Sequence, residues 1–316
     1  MKDIMVSIAV ITYGHEKYIR NALDSILTQN TEYNYEILIG EDNSPDNTRE
    51  ILLEYKEKYP EIIQLVLRDV NIGATKNICD LWRKARGKYI ATLEGDDYWI
   101  DNLKLQKTID FLEQNTSYLA VSHRIEERTL DNKVIAQHPE IALTGKEFTI
   151  EEFLKGNYYS AVATVFRNFV IESPSSIDIV EYAHWLVGDY TICMILLDKG
   201  KVFVLNDIMS VYRSRSKAGE QNYNSITDSI KQYKDHLEVV NANNLYYKGK
   251  YDFSLEYINK SILAFINSIK SKQIKDFFEL FNTIPKKCRF LFWGYLSKRV
   301  LRKSFRVLFL KNQVNK

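Results

Sequence analysis

The sequence has little cysteine, proline or glycine for its length. Its 316 residues include 3 cysteines, 5 prolines and 12 glycines. Cys79, Cys193 and Cys288 stand at wide, unrelated spacings, which excludes a disulfide scaffold and a CxxC metal cluster and suits a reducing cytosol. The scarcity of proline and glycine excludes a low-complexity linker and a collagen-like tract.

Long apolar runs and several familiar binding loops are also missing. No apolar run reaches the roughly 18 residues that would predict a membrane-spanning helix. The absence of GxGxxG, GxxxxGK[ST] and GxSxG excludes the usual dinucleotide, P-loop and hydrolase signatures. None of the five histidines has metal-ligand spacing to a cysteine, which argues against zinc. The run Met5–Ile11 lacks a positive leader and a cleavage site, so we expect a buried strand there and no secretion signal.

Charge is distributed unevenly along the chain. The formal net charge is +2, but residues 285–316 hold ten Lys or Arg and no acid, which leaves 33 basic and 41 acidic side chains in residues 1–284. An acidic body with a basic tail is not the pattern of a nucleic-acid binder, and no nucleic-acid motif is present, so we expect no nucleic-acid partner.

Short apolar runs alternate with amphipathic segments through the first 125 residues. The predicted strands are Val6–Ile11, Tyr35–Gly40, Ile62–Leu67, Lys88–Leu93 and Tyr118–Ser122. Helices are predicted over Tyr18–Gln29, from Asp46–Thr48 onward, over Ala74–Ala85 and over Leu103–Gln114. This alternation predicts an α/β fold with βαβ units, a mostly parallel twisted sheet and helices on both faces.

The remainder of the chain has a less regular pattern. We expect a helix over Thr149–Lys155, a strand over Ala161–Phe166, a helix over His184–Leu197 broken at Gly188-Asp189, and short strands at Val202–Leu205 and Met209–Tyr212. After about residue 220 the pattern is helical throughout. Asn244–Lys260 has the helix, glycine turn, helix pattern of a tetratricopeptide-like hairpin, but one such unit is not an array, so an ordinary packed helical hairpin is favoured over a peptide-binding repeat. The predicted domains are 1–218, a helical hairpin region at 219–284, and a basic tail helix at 285–316.

Acidic side chains follow the predicted strands at positions where parallel sheets bind ligands. Glu94, Asp96 and Asp97 crowd one strand end, which indicates either a metal–diphosphate site or an acidic turn capping the next helix. Asp42 ends another strand and could accept hydrogen bonds from a ribose or a base, or cap a helix. Asp189, among apolar residues, is either a general base with a raised pKa or a helix cap.

These landmarks together resemble glycosyltransferase family 2, whose members are inverting enzymes with a GT-A nucleotide-sugar-binding fold. The matching segments are Val6–Tyr13, Glu41–Thr48, Asn71-Ile72-Gly73 with Lys76-Asn77, Ala85–Ile90 and Glu94–Asp97. They cover residues 5–100 in order. A looser match, through Gly188-Asp189 and Val211-Tyr212-Arg213, extends to about residue 215.

The resemblance implies roles for individual residues. Tyr13 and Asp42 would hold the nucleoside, and Ile11 and Thr12 would line the same loop. Asp96 would be nearest a divalent cation, Mn²⁺ or Mg²⁺, and Asp189 would be the general base. The remaining donor-binding residues implied by the resemblance are Glu41, Asn71, Gly73, Lys76, Glu94, Asp97, Arg213 and Arg215.

Two departures from the family pattern concern the metal. Glu94 replaces the first aspartate of the family's Asp-x-Asp signature, and a longer carboxylate can still reach an ion through water. Arg215 stands where a histidine is common. Because arginine clamps phosphate but does not ligate metal, Arg213 or Arg215 would share the neutralisation of the diphosphate.

The basic tail sorts onto two helical faces. One face carries Lys298, Arg299, Arg302, Lys303 and Arg306, and the other carries bulky apolar residues between Trp293 and Leu308. This pattern is typical of a helix that lies on an anionic membrane surface, and a terminal helix with a solvated charged face is the alternative. We therefore expect a cytoplasmic protein bound peripherally to the inner face of the cell membrane.

The sequence thus predicts transfer of a sugar from a nucleotide donor, with UDP-sugar favoured, to a saccharide acceptor. The resemblance implies a lipid-linked acceptor in surface polysaccharide synthesis. A non-catalytic nucleotide-sugar-binding or scaffold protein with the same fold is the alternative. A nucleotidyltransferase is disfavoured because Gly14–Lys17 is a poor triphosphate loop. Assembly into a homo-oligomer is left open.

Overall fold

The structure is a computed structural model that describes residues 3–214 and 229–297. The described residues divide into two compact units, one of residues 3–153 and 157–214 and the other of residues 154–156 and 229–297. The predicted domain boundary at 218, Arg215 and the basic face of the tail helix lie outside the described residues.

The first unit begins with four parallel strands in the spatial order β3-β2-β1-β4. These strands are β1 (Val6–Thr12), β2 (Tyr35–Glu41), β3 (Ile63–Leu67) and β4 (Tyr89–Glu94). Helices α1 (Ile19–Leu27), α2 (Thr48–Lys58) and α3 (Ala74–Lys84) follow the first three strands. The strands read as nearly unbroken apolar runs because helices cover both faces of a parallel sheet. The predicted mostly parallel α/β fold is confirmed.

The sheet continues as β4-β9-β6-β10-β5, while β7 pairs with β6 and β8 with β10. The elements are β5 (Tyr98–Trp99), α4 (Lys104–Gln114), β6 (Tyr118–Arg128), β7 (Val134–His138), β8 (Lys146–Phe148), α5 (Ile150–Leu154), β9 (Val165–Arg167), α6 (Asp178–Ala183), α7 (Asp189–Lys199) and β10 (Lys201–Arg213). Strand β9 runs antiparallel to both of its neighbours, so the sheet is mixed.

Two predictions in this region are wrong in detail. Residues 184–188 are not helical, and α7 begins only at Asp189, because the Trp185 carbonyl accepts a hydrogen bond from the Thr75 N–H group instead of an intrahelical one. The two short strands expected after residue 201 are one strand, β10. Its pairing with β6 shifts register between Val204 and Ile208, where polar Asn206 and Asp207 interrupt the apolar pattern.

The second unit is helical over its described residues, as predicted. Helices α8 (Ser229–Tyr246), α9 (Ser254–Lys270) and α10 (Ile274–Phe281) are followed by a helical segment over 286–297. Phe277, Phe281 and Phe292 are buried in its core, and the Phe281 and Phe292 ring centroids lie 4.7 Å apart. Among the described residues, no helix has the length and apolar character needed to cross a bilayer.

Candidate active site

The register of the parallel strands brings the predicted site residues to one edge of the sheet. Thr12 pairs with Glu41, and Ile11 pairs with Glu94, so these strands end level with one another. The Asp42 N–H group donates to the Thr12 carbonyl at 3.0 Å. Parallel sheets bind ligands at this edge.

Tyr13 and Ile11 are half-buried in the β1 strand end and the loop that follows it. Ile11 is the last but one residue of β1 and Tyr13 is the first residue after the strand; their predicted contact with the nucleoside stays a prediction. Lys76 is exposed in the first turn of α3, the helix that follows β3.

Asp42 is 3% exposed and holds the loop that follows β3. Its two carboxylate oxygens accept the N–H groups of Ile72 and Gly73 at 2.8 and 2.9 Å. Burial raises the pKa of the Asp42 carboxyl, although these two donors and Arg68 act in the opposite direction. Each oxygen retains a second lone pair, so the carboxylate can also accept a hydrogen bond from a ligand.

Glu41, the last residue of β2, is bound by residues of the loop and helix that follow this strand. Its side chain is fully buried, and it accepts hydrogen bonds from the Ser44 N–H group at 2.6 Å and from Arg49 Nε at 2.5 Å. These partners explain the position of Glu41 without a ligand. Its predicted contact with the donor stays a prediction.

Gly73 joins this loop to the segment that precedes Asp189. Its φ of +87° favours glycine, and Asn71 Oδ1 accepts its N–H group at 3.0 Å. An added Cβ at Gly73 would lie 2.5 Å from the Trp185 carbonyl oxygen. Thr75 fixes the same segment, because its hydroxyl donates to the His184 carbonyl at 2.8 Å. The start of α3 therefore anchors residues 184–188 at the sheet edge.

Asp189 is the first residue of α7, while Gly188 occupies the N-cap position. The residue is accessible to solvent, yet surrounding protein desolvates its carboxyl and raises the pKa above the ordinary value for aspartate. An accessible carboxylate with a raised pKa has the properties of a general base. Because Gly188 is the N-cap residue, a structural role of Asp189 at this helix would act through its charge in the first turn.

Glu94, Asp96 and Asp97 form a cluster, here called the acidic turn (residues 94–97). One carboxylate oxygen from each lies within 4.8 Å of the other two. Asp97 Oδ1 accepts a hydrogen bond from the backbone N–H group of Arg213 at 2.9 Å, and the Arg213 guanidinium donates to the Asp96 carbonyl. The Arg213 guanidinium also lies 4.3 Å from the centre of the Tyr98 ring. Arg213 therefore clamps the acidic turn from β10.

The donor set of the acidic turn fits a hard divalent cation. Carboxylate oxygens are the preferred ligands of Mg²⁺ and Mn²⁺ in proteins, and Asp96 and Asp97 are only 6% and 3% exposed. An added Cβ at Gly95 would lie 2.7 Å from Thr12 Oγ1, so glycine lets the turn lie against the loop after β1. Asp96, with Glu94 and Asp97, can therefore hold such an ion.

Two residues at this edge were not predicted from the sequence. The Nε2 atom of His15 lies 3.9 Å from Asp96 Oδ1, and Trp185 is 55% exposed on the segment before Asp189. His15 follows β1 by three residues, so its place in a strand-end loop was a usable signal. A search for cysteine–histidine spacing overlooks it.

Comparison with known proteins gives consistent results. A family model described as Glycosyl transferase family 2 matches residues 7–173. An uncharacterised protein of Mycobacterium tuberculosis is 33% identical over 208 residues, which are 66% of this chain and 58% of that protein. An Escherichia coli protein named UDP-Glc:alpha-D-GlcNAc-diphosphoundecaprenol beta-1,3-glucosyltransferase is 35% identical over 126 residues, 40% of this chain and 48% of that protein. The matched region thus spans about half the length of these relatives.

Two solved structures show the same fold at low sequence identity. Residues 1–349 of TarS from Staphylococcus aureus, in complex with UDP-GlcNAc, align with a TM-score of 0.53 and 16% identity over 88% of this chain and 90% of that one. The mannosyltransferase PcManGT from Pyrobaculum calidifontis, in complex with GDP-Man and Mn²⁺, aligns with a TM-score of 0.51 and 15% identity over 96% and 82% of the two chains. This fold is GT-A.

Proposed function

The chain belongs to glycosyltransferase family 2, and from this premise we propose that it is an inverting glycosyltransferase. It transfers a sugar from a nucleoside diphosphate donor to a hydroxyl group of a saccharide acceptor.

The observation that carries the proposal is a line of contacts along one sheet edge. Asp42 bonds to Thr12 at the end of β1 and to Gly73, which packs against the segment before Asp189. On the other side of β1, Gly95 of the acidic turn bonds to the Ile11 carbonyl at 2.9 Å. A nucleoside, a diphosphate and an acceptor hydroxyl each have a suitable group along this line.

The residues divide the chemistry as follows. Tyr13, directly after β1, and Asp42, directly after β2, contact the nucleoside. Asp96, with Glu94 and Asp97, would hold a divalent cation, which when bound supplies positive charge to the departing nucleoside diphosphate. Asp189 removes the proton from the acceptor hydroxyl. One base acting in a single displacement gives inversion at the anomeric carbon.

Two relatives support the choice of donor and acceptor. The E. coli relative is named for UDP-Glc and a diphosphoundecaprenol acceptor, and TarS was solved with UDP-GlcNAc. We therefore propose a UDP-sugar donor and a lipid-linked saccharide acceptor in surface polysaccharide synthesis.

The basic tail supports a location at the inner face of the cell membrane. Residues 285–316 hold ten basic side chains and no acid, and cations near an anionic surface contribute about 1 kcal/mol each. Replacing Lys298, Arg299, Arg302, Lys303 and Arg306 with Gln should abolish co-sedimentation with phosphatidylglycerol vesicles. Equal sedimentation of wild type and variant would contradict this location.

The experiment that tests the function is release of the nucleoside diphosphate, UDP from a panel of UDP-sugars and GDP from GDP-mannose, in the presence of Mn²⁺. We expect release by the wild type and at least about a 100-fold loss in Asp96→Asn. Asp131→Asn, which changes a 62% exposed carboxylate in the same unit, should behave as wild type. Binding without turnover would favour the non-catalytic alternative. The absence of both binding and turnover would contradict the proposal.

A further inference from the structure

His15 is held rigidly beside the acidic turn. The backbone N–H group of His15 donates to Thr48 Oγ1 at 2.9 Å, and its backbone carbonyl accepts the N–H groups of Tyr18 and Ile19, each at 2.9 Å. The side chain is only 12% exposed. The backbone on both sides of the imidazole is therefore fixed by the start of α1 and by α2.

The two ring nitrogens of His15 face different groups. Nδ1 lies 3.2 Å from Thr12 Oγ1, within hydrogen-bond distance, and Nε2 lies 3.9 Å from Asp96 Oδ1. When Nδ1 carries the hydrogen and donates to Thr12, the Nε2 lone pair is directed to the Asp96 side. A hydrogen bond from the second ring nitrogen commonly sets the tautomer of a metal-binding histidine in this way.

The separation of His15 and Asp96 suits a shared ion. A distance of 3.9 Å exceeds hydrogen-bond range. Two ligand atoms each about 2.1 Å from a common ion are separated by at most about 4.2 Å, so both can reach it. Gly95 permits the approach, since an added Cβ there would lie 2.9 Å from His15 Nδ1.

We propose that His15 Nε2 is a ligand, together with Asp96, of the divalent cation at the acidic turn. The inference rests on the proposed function, because the cation belongs to the same site. A nitrogen ligand among carboxylates favours Mn²⁺ over Mg²⁺, which takes oxygen ligands. His15 therefore contributes to the choice of ion as well as to its affinity.

The test uses the full-length protein and Mn²⁺ alone, without any nucleotide. Electron paramagnetic resonance counts free Mn²⁺ during a titration, and electron spin-echo modulation detects an imidazole ¹⁴N bound to the ion. We expect the wild type to show ¹⁴N modulation, and His15→Gln to lose it and to bind Mn²⁺ at least about tenfold more weakly. The preference for Mn²⁺ over Mg²⁺ should decrease in the same variant.

The matched control is His138→Gln. His138 Nε2 also approaches a carboxylate, Glu127 Oε2 at 3.3 Å, but it lies on β7 and does not contact the acidic turn in the described residues. This variant should keep both the ¹⁴N signal and the wild-type Mn²⁺ affinity.

The outcomes separate this inference from the proposed function. Absence of ¹⁴N modulation in wild-type protein that binds Mn²⁺ overturns the role of His15, and this result needs no variant to fold. Unchanged Mn²⁺ affinity in His15→Gln, or no Mn²⁺ binding by the wild type, also overturns it. UDP release from UDP-sugars by the wild type, measured separately, decides the proposed function in each case.

Discussion

The two sides of β1 at the sheet edge differ in the number of carboxylates that they bring together. On the side of β2, Asp42 is a single buried carboxylate whose oxygens already accept two backbone N–H groups. On the side of β4, the acidic turn gathers three carboxylates, and Arg213 supplies its N–H group to one of them. The first side is a single carboxylate with two backbone donors, whereas the second brings three carboxylates together beside the Arg213 guanidinium.

This difference indicates what each side can bind. A carboxylate with compensated charge can orient a neutral group, such as a nucleoside base, through its remaining lone pairs. Crowded carboxylates repel one another and are stabilised by a cation. The comparison therefore assigns the uncharged part of a nucleotide to the Asp42 side and the charged part to the acidic turn, and it can be tested one side at a time.

The largest effect is expected at Asp189, whose preceding segment is anchored to the Asp42 side. Replacing Asp189 with Asn removes the base, so kcat should fall by about 10²- to 10⁴-fold while the Kd for the UDP-sugar stays within about twofold. Single-turnover transfer and equilibrium donor binding measure the two quantities.

Asp178→Asn is the matched control for this change. Asp178 opens α6 as Asp189 opens α7, so both substitutions remove a favourable charge from a helix N-terminus. Asp178 pairs with Arg83 at 2.8 Å outside the site edge. If Asp178→Asn lost as much activity as Asp189→Asn, a helix-stabilising role would replace the general base.

The second test exchanges one glycine on each side. Gly73→Ala should weaken UDP binding about 10- to 100-fold and leave Mn²⁺ binding nearly unchanged, because the new Cβ would collide with the Trp185 carbonyl. Gly95→Ala should do the reverse, since its Cβ would collide with Thr12 and His15. Calorimetric titrations with UDP and with Mn²⁺ measure both affinities.

Gly249→Ala controls for the backbone cost of the Gly73 change. Gly249 has a similar φ of +82°, but an added Cβ there meets no atom of the described residues within 4 Å. It should lower stability by about 1 kcal/mol and leave both affinities unchanged. Equal losses of UDP and Mn²⁺ binding in Gly73→Ala and Gly95→Ala would remove the distinction between the two sides.

A smaller effect is expected for Asp42→Asn. The amide offers only one oxygen, so its NH₂ group would face one of the N–H donors of Ile72 and Gly73. Leaving a buried donor unpaired costs about 1–3 kcal/mol of stability, and we expect the Kd for UDP to rise about tenfold. Thermal unfolding and UDP titration measure these effects, and an unchanged Kd would contradict contact between Asp42 and the nucleoside.

The strands of the sheet differ in how well the sequence predicts them. Strands β1 to β4 were predicted within two residues at each end because buried parallel strands read as continuous apolar runs. Strands β5, β7 and β8 were not predicted. Strands β5 and β8 have two and three residues, too few for a periodic pattern, and β7 is almost wholly exposed, so it lacks the apolar run of a buried strand. The position of β9 between β4 and β6 depends on pairing across distant segments.

The candidate site follows the same division. Thr12, Asp42 and the acidic turn could be predicted because each directly follows a recognisable strand. The anchoring of residues 184–188 could not, since Thr75 and His184 are 109 residues apart and no local pattern records their contact. The approach of His15 to Asp96 is likewise a contact between distant loops.

The smallest effect is expected at Lys104, which lies beside the ladder between β5 and β10. Lys104 is fully buried, and its ammonium lies 4.3 Å from the centre of the Trp99 ring and 3.4 Å from Ser210 Oγ. Trp99 and Ser210 pair in the ladder between β5 and β10. Burial lowers the pKa of Lys104 to about 7, although Asp101 acts in the opposite direction.

This pKa predicts a dependence of stability on pH. Unfolded lysine has a pKa near 10.4, so between about pH 7 and pH 10 the unfolded chain binds a proton that the folded chain releases. The free energy of unfolding should therefore rise with pH by up to about 1.4 kcal/mol per unit in this window. His123, whose pKa is lowered by burial and by Lys104, titrates on the acidic side of the window.

Replacing Lys104 with Met should flatten this rise, because the apolar side chain has no proton to release. Lys107→Met is the control. Lys107 is a partly exposed lysine of the same helix, paired with Asp101 at 2.7 Å, and this pairing raises its pKa. Denaturant unfolding at pH 7.5 and 9 should therefore separate wild type and Lys107→Met from Lys104→Met by about 2 kcal/mol in the pH-dependent term. An equal slope in all three proteins would mean that Lys104 keeps its charge throughout the window.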